Sequence, residues 1–525
     1  MMGLLSGFLV ITTLGAPGIT IDEPLDVRPG RTYVENLAKY GRKFFDPAIV
    51  TRTFADNAEH PPLGRWLLGI ASKGGEFLTP WLGGSDPYSV HSGRLAPAVA
   101  FGLLVGLVTL IAGRRFGKAG GLAAGFSLMV MPRVFAHAHL GALDTFLCLF
   151  WTLALWSVEK ALSSSKPIRS SALAGLALGL ALLTKIHAWL LPPIILVWII
   201  ARWWFACDAS LRPTLLRVCV AFSSWLIVGF STFLLGWPWL WYETFSRLSR
   251  YLGTGVDRLS LRVLYFGQVY ADKDVPWHYP WFYFVVTVPV GLHVLGAIGI
   301  YRAWRDRKQD TFLLLHVGAI LTFLALFSTR IPVYDGERLI LLTFPLYAIV
   351  IGAGFETLWT SGERLSRSLL TLILLCQVFG LCLIFPFGLA YFNLGVGGLR
   401  GAERLGLEVT YWGDAVDGVL LDRLADEIRP GETVALVPTL HHIQSIATLN
   451  QALVNKKVRL LDQAAWENAD WLVVSRREAY WPPNFKARLA TMKRVVVRSR
   501  DGVWLSGLFH DETPKASSRH PGQSL

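Results

Sequence analysis

The sequence predicts a polytopic α-helical membrane protein of about eleven spans with a small C-terminal α/β domain. Three observations predict it. Apolar residues make up 53% of the 525-residue chain and charged residues only 17%, fewer charges than soluble domains carry. Apolar runs recur, each near the ~20 residues an α-helix needs to cross a bilayer. After Asn393 a glycine cluster (Gly395, Gly397, Gly398, Gly401) gives way to alternating polar and apolar residues, the period of strands.

Taken in order, the candidate spans are roughly 2–18, 93–112, 119–132, 140–158, 171–185, 187–204, 214–236, 281–301, 311–328, 338–358 and 367–389, each set by apolar length and flanks. Met1 to Pro17 lacks a basic leader and a clear cleavage site, so it reads as a retained first helix and not a signal peptide. Loops of one parity carry the basic residues: Arg114, Arg115 and Lys118, then Lys160, Lys166 and Arg169, then Arg202, Arg212 and Arg217, then Arg302 to Lys308, then Arg364 and Arg367. The positive-inside rule makes that set cytoplasmic. An odd number of spans then puts the loops 19–92 and 237–280 and the C-terminal part on the outer face of a cell membrane of prokaryotic type. The net charge of +13 is spread over these short loops, which topology and anionic lipid explain better than nucleic acid.

The outer loops are rich in Trp and Tyr (Trp237, Trp239, Trp241, Tyr242, Trp277, Tyr279, Trp281), which favour the membrane interface, and helices lying along the membrane are expected there. Beyond Asn393, Thr433–Val437, Trp471–Val474 and Arg494–Arg498 read as strands, and Asp501-Gly502 as a hairpin turn into Trp504–Phe509. Helical stretches near 416–428 and 440–453 lie between. The organisation expected is a membrane module at 1–392, an α/β domain at 393–512 and a disordered polar tail at 513–525. The five cysteines (Cys148, Cys207, Cys219, Cys376, Cys382) show neither disulfide nor zinc spacing and read as packing residues.

Chemistry-bearing residues gather in the outer loops. Asp22 and Glu23 leave the first apolar segment together. An ionised carboxylate beside a membrane helix is costly unless solvated, paired or used. It is either a loop acid capping a helix or a general base for an acceptor hydroxyl, with a divalent metal as a possible helper. In the same loop, His60-Pro61-Pro62-Leu63-Gly64-Arg65 opens a helix near Leu63, with His60 a cap or a substrate contact. Arg133 and Asp144 bound the next outer loop, with Asp144 a second acid at the start of a span and helix-terminus stabilisation the competing account. His137 and His139, at i and i+2, suit a metal only in extended structure. Lys185, Arg94 and Arg338 sit at span ends on the same face, where a cation either snorkels or binds a phosphate by charge-assisted hydrogen bonds.

The ordered set resembles the protein O-mannosyltransferase and aminoarabinose-transferase superfamily of GT-C membrane glycosyltransferases. It comprises the acidic pair, His60 to Arg65, Leu143-Asp144, Gly175 to Lys185, and Glu337-Arg338 before an apolar helix with Pro345. Ala390-Tyr-Phe-Asn-Leu-Gly-Val-Gly-Gly-Leu-Arg-Gly-Ala402, followed by Tyr411-Trp412-Gly413-Asp414, looks like a signature of prokaryotic members. The resemblance spans residues 1 to about 415. It implies a GT-C fold, a polyprenyl-phosphate sugar donor and catalysis on the outer leaflet, with a lipid, glycan or protein acceptor. Carried over by position, it implies that Asp22 is the base, Glu23 its neighbour and Asp144 a second active-site acid. Arg133, Lys185 and Arg338 become candidates for the donor phosphate, with His60, Arg65 and Arg94 as further substrate contacts. An inserted β-trefoil domain, found in the eukaryotic protein mannosyltransferases, is not evident here. One base and a phosphate clamp suit a single inverting displacement, without the carboxylate pair of hydrolases. The rival class is a transporter or lipid-linked sugar flippase, which would show inverted repeats and broken helices near mid-membrane. A scaffold using the α/β tail to hold a partner is the third.

Overall fold

Long apolar helices dominate the computed structural model, which describes residues 1–55, 59–82, 89–162, 164–205, 215–254, 260–438, 451–512 and 523–524. Among the described residues, five helices are long and apolar enough to cross a membrane: Val90–Phe116, Asp144–Leu162, Ile186–Phe205, Leu215–Gly236 and Arg364–Ile384. Shorter apolar helices occupy further expected segments at Met2–Ile11, Pro167–Leu182 and Phe312–Leu326, and helices also form at Lys118–Met129 and Thr343–Ser361.

The expected span 281–301 is two helices, Tyr279–Thr287 and Val290–Arg305, bent by 113°. Pro289 is the cause. It lacks a donor for the helix ladder and pushes the residue before it out of the helical region. Val288 accordingly sits at φ −99°, ψ 136°.

The loop 19–92 holds the helices Glu23–Tyr40, Pro47–Thr53 and Leu63–Gly74. Glu23–Tyr40 and Leu63–Gly74 cross where both are glycine. A methyl group on Gly30 would stand 2.1 Å from the Arg65 carbonyl oxygen, and one on Gly69 would stand 2.1 Å from the Gly30 oxygen. Backbone meets backbone there, which only glycine permits.

The loop 237–280 holds the helix Thr244–Gly253 and an antiparallel hairpin, Arg262–Tyr265 with Gln268–Ala271. The hairpin was not expected. Its turn residues Phe266 and Gly267 both take positive φ, 49° and 76°, but Phe-Gly lacks the Asn or Asp that advertises such a turn.

The C-terminal part forms a mixed six-stranded sheet in the order Lys493–Arg500, Val503–His510, Trp471–Ser475, Thr433–Val437, Arg459–Leu461, Gln523–Ser524. The strands Arg459–Leu461, Thr433–Val437 and Trp471–Ser475 are mutually parallel, and the other neighbours pair antiparallel. Helix Gly418–Glu427 covers one face, its Leu420, Leu421 and Leu424 buried with Val434, Leu436 and Val473. Asp501 and Gly502 form the expected turn, both at positive φ. Residues 439–450, most of the stretch expected helical at 440–453, lie outside the described residues, as do residues 513–522 of the polar tail. Leu399, Ala402, Leu407, Val409 and Ala415 pack into the core of the helical part, and the cluster under the sheet begins only at Val416.

Among the cysteines, Cys148 is buried, whereas Cys219, Cys376 and Cys382 are exposed and unpaired, so the packing expected of them holds only for the first. Cys207 lies outside the described residues.

Candidate active site

Asp22 and Glu23, neighbours in sequence, face opposite fates. Glu23 is fully buried at 0% exposure. Its carboxylate accepts two hydrogen bonds from Arg94, each 2.7 Å, together with the backbone N–H of Thr20 at 2.7 Å and of Gly141 at 2.6 Å. Arg94, also at 0%, directs its remaining donors to the carbonyls of Leu14, Pro17 and Gly18. All five guanidinium donors are engaged. The expectation that Glu23 and Arg94 meet substrate is therefore not what the geometry presents. The two form a closed clamp tying the end of the first apolar segment to the start of Leu95–Phe116.

Asp22, at the foot of Glu23–Tyr40, keeps 28% of its side chain exposed and accepts a 2.7 Å hydrogen bond from Arg338 Nη2. Arg338 also reaches Asp144 through Nε at 3.4 Å and Asp335 through Nη1 at 3.2 Å. Asp144, buried at the head of Asp144–Leu162, takes a 2.5 Å hydrogen bond from Lys185 Nζ. Lys185 sits in extended backbone (φ −152°, ψ 156°) between Pro167–Leu182 and the next helical turn. Asp22, Asp144, Lys185 and Arg338 thus come from four separate segments into one network, open to solvent at Asp22. The Arg338 guanidinium lies 4.0 Å over the ring of Trp412, a cation–π contact that fixes its plane.

His60 adjoins this network. Burial and the nearby Arg65, Lys185 and Arg338 cations hold its imidazole well below the ordinary histidine range, so it is neutral near pH 7. Its Nδ1 is buried without a hydrogen-bond partner among the described residues. Arg65 is bound to Asp26 at 3.0 Å, with Tyr33 beside it. It braces the crossing of Glu23–Tyr40 and Leu63–Gly74 and does not stand in the opening.

Arg133 pairs with Glu337 at one remove. Its Nε donates to the Tyr391 carbonyl at 2.9 Å and its guanidinium lies 4.6 Å over Phe392. His137 Nε2 faces the same Glu337 at 3.8 Å and the Tyr411 hydroxyl at 3.4 Å. His139 is turned away, with Nε2 2.8 Å from Thr13 Oγ1 and Nδ1 2.8 Å from the Phe135 carbonyl. Asp22, His137 and His139, the metal candidates of the sequence, do not converge. Among the described residues no three His, Cys, Asp or Glu side chains form a metal-holding group.

Two residues that sequence reasoning missed complete the network. Asp335 accepts from Arg338 and, at 2.7 Å, from Arg477 Nη2 of the C-terminal part. Its signal was the pair Asp335-Gly336, a turn dipeptide, with φ 56° and 63°. A methyl group on Gly336 would stand 2.9 Å from Arg133 Nη1, so the turn also brings the backbone against the Arg133–Glu337 pair. Near Arg477, Glu408 accepts the N–H of Glu478 at 2.7 Å and of Ala479 at 3.3 Å. Burial pushes its carboxyl up to about 8 against the opposing Arg477 charge.

Several apolar helices, an interrupted helix pair, helical loops between spans and a polar network at one end of the bundle define the fold, which is similar to that of solved proteins. Residues 59–228 match the family model of dolichyl-phosphate-mannose-protein mannosyltransferases. ArnT from Cupriavidus metallidurans in the apo state superposes with a TM-score of 0.54 at 15% identity, covering 97% of this chain and 96% of that one. The same protein bound to undecaprenyl phosphate gives 0.49 at 15% identity, covering 97% of each chain. The apo oligosaccharyltransferase of Archaeoglobus fulgidus gives 0.46 at 13% identity, covering 96% of this chain and 74% of that one. No curated relative matches the sequence.

Proposed function

We propose that this chain transfers a sugar of mannose or pentose type from a polyprenyl-phosphate donor to an acceptor hydroxyl on the extracytoplasmic face, by a single inverting displacement. The observation that carries the reading is the Asp22–Arg338–Asp144–Lys185 network, whose one partly exposed carboxylate is hydrogen-bonded to a cation at 2.7 Å. The description of the matching family model, with its dolichyl-phosphate sugar donor, supports the donor class.

The chemistry follows from the groups present. The acceptor oxygen attacks the anomeric carbon, and the bond from that carbon to the phosphate oxygen breaks. Asp22 takes the acceptor proton as general base. The departing phosphate gains negative charge, which Arg338 and Lys185 stabilise with donors already oriented by Asp22, Asp144, Asp335 and Trp412. A phosphate is a good enough leaving group that no acid is required, so Asp144 serves to hold Lys185 and Arg338. His60, neutral, is placed to hydrogen-bond a sugar or acceptor hydroxyl.

The flippase reading draws on the 113° break at Val288-Pro289. Broken helices in transporters aim their half-helix ends and unwound backbone at the substrate near mid-membrane, whereas Asp22, Asp144, Lys185 and Arg338 all come from segments other than the broken pair. Incubating the purified chain with a polyprenyl-phosphate sugar separates the two. A transferase releases free polyprenyl phosphate and inverts the anomeric configuration, readable by NMR of the product. Vectorial movement of intact donor lipid without sugar release would favour the flippase.

A further inference from the structure

A cavity lies at the end of the bundle opposite the acidic network. It has a volume of about 380 Å³ and opens between the ends of Leu95–Phe116, Asp144–Leu162 and Leu191–Phe205 and the loop before Phe312, within the roughly 300–1,000 Å³ of small-molecule pockets. Five cations line it, Arg114, Arg115, Lys160, Arg202 and Lys308, against two acids, Glu159 and Asp310. Arg115 is paired with Asp310, which also accepts the Phe312 N–H at 2.9 Å. Arg114, Lys160 and Lys308 make no ion pair among the described residues. The Trp198 indole donates to the Thr311 carbonyl at 3.0 Å and closes one wall.

Helix-dipole compensation explains a single cation at each helix C-terminus. It does not explain five around one cavity. The level of the cavity points to its occupant. On the helix that Asp144 opens, Lys160 stands near the other end, so the cavity lies roughly 24 Å from the acidic network at ~1.5 Å per residue, most of one hydrocarbon thickness. Trp203, Trp204 and Trp304 at this end are 54%, 78% and 57% exposed, the placement of an interfacial belt at headgroup depth.

We propose that this cavity binds the phosphate of an anionic membrane lipid on the cytoplasmic side, its acyl chains running along the bundle. The site is separate from the transferase network and fixes the ends of the helix that Asp144 opens and of the helix that follows Lys185.

The test is native mass spectrometry of the full chain in detergent micelles doped with equal phosphatidylglycerol and phosphatidylcholine. The wild type should retain phosphatidylglycerol preferentially. The double variant Arg114→Ala/Lys308→Ala should bind it on the order of thirty-fold more weakly, at about fivefold per cation removed. Gel filtration and melting report whether the double variant folds. If it does not, Lys160→Gln, at an exposed position, should show the fivefold loss alone. Equal retention of the two lipids, or unchanged retention in the folded variants, would overturn the proposal. So would displacement by millimolar inorganic phosphate as effective as by added phosphatidylglycerol, because the occupant would then be a soluble phosphate.

Discussion

Arg94 and Glu23 are both fully buried, and five hydrogen bonds surround the guanidinium, two of them to the Glu23 carboxylate. Removing one partner of such a pair leaves an uncompensated buried charge, so Arg94→Ala should destabilise the chain by ~3–5 kcal/mol. A thermal melt in detergent reads it, and a small shift would mean that water reaches Glu23. Glu408 gives a second prediction, in pH. Its carboxyl is raised from 4.5 to about 8, so between those values the folded state binds more protons than the unfolded one. Stability from this group is fully present below pH 4.5 and is lost as pH rises through about 8. Glu408→Gln should flatten that decline, and identical melting-versus-pH curves for the two proteins would contradict it. Which of the two adjacent acids is open was not legible in the sequence. An Asp and a Glu one residue apart differ only in the neighbours that folding supplies, and Arg338 lies 316 positions from Asp22. The ends of the network were legible as residue types, since charged groups beside apolar spans are costly wherever they occur.

The helix crossing at Gly30 and Gly69 sets where Asp22 can stand, because Glu23–Tyr40 begins at the acidic pair. Gly69→Val would drive side-chain atoms into the Gly30 backbone, and overpacking of this kind costs ~1–3 kcal/mol. The expected outcome is a lower melting temperature together with reduced turnover, since the same shift displaces Asp22. An unchanged melt would show that the two helices can separate without loss. Apolar length disclosed helices throughout, yet the bend at Val288-Pro289 needed attention to one proline inside an otherwise continuous run. The hairpin at Arg262–Ala271 stayed hidden because its aromatic and aliphatic residues also suit an interface helix, and Phe266-Gly267 is a weak turn signal.

Across the whole molecule, charge sorts by end. Five basic residues of the parity set read from the sequence, Arg114, Arg115, Lys160, Arg202 and Lys308, stand around one cavity, while Asp22, Asp144, Lys185 and Arg338 meet in a network at the other end of Asp144–Leu162. The C-terminal sheet joins the second group through Arg477 and Asp335. That contact could not be foreseen, because 142 residues separate the partners and the Asp335-Gly336 turn signal says nothing of what Asp335 pairs with. The topology predicts that, in a background cleared of the native cysteines, a cysteine at exposed Arg400 reacts with a membrane-impermeant thiol reagent in intact cells. A cysteine at Arg114 should react only after permeabilisation. Labelling of both from outside would contradict the sidedness and with it the placement of the network on the extracytoplasmic face. The central claim is that Asp22 is the base of a sugar transfer from a polyprenyl-phosphate donor. Turnover of that donor by purified wild-type and Asp22→Asn protein tests it most directly. The account predicts release of polyprenyl phosphate by the wild type and a fall of about 10²–10⁴-fold in the variant, with its melting temperature nearly unchanged. Full turnover in a folded Asp22→Asn protein would contradict it.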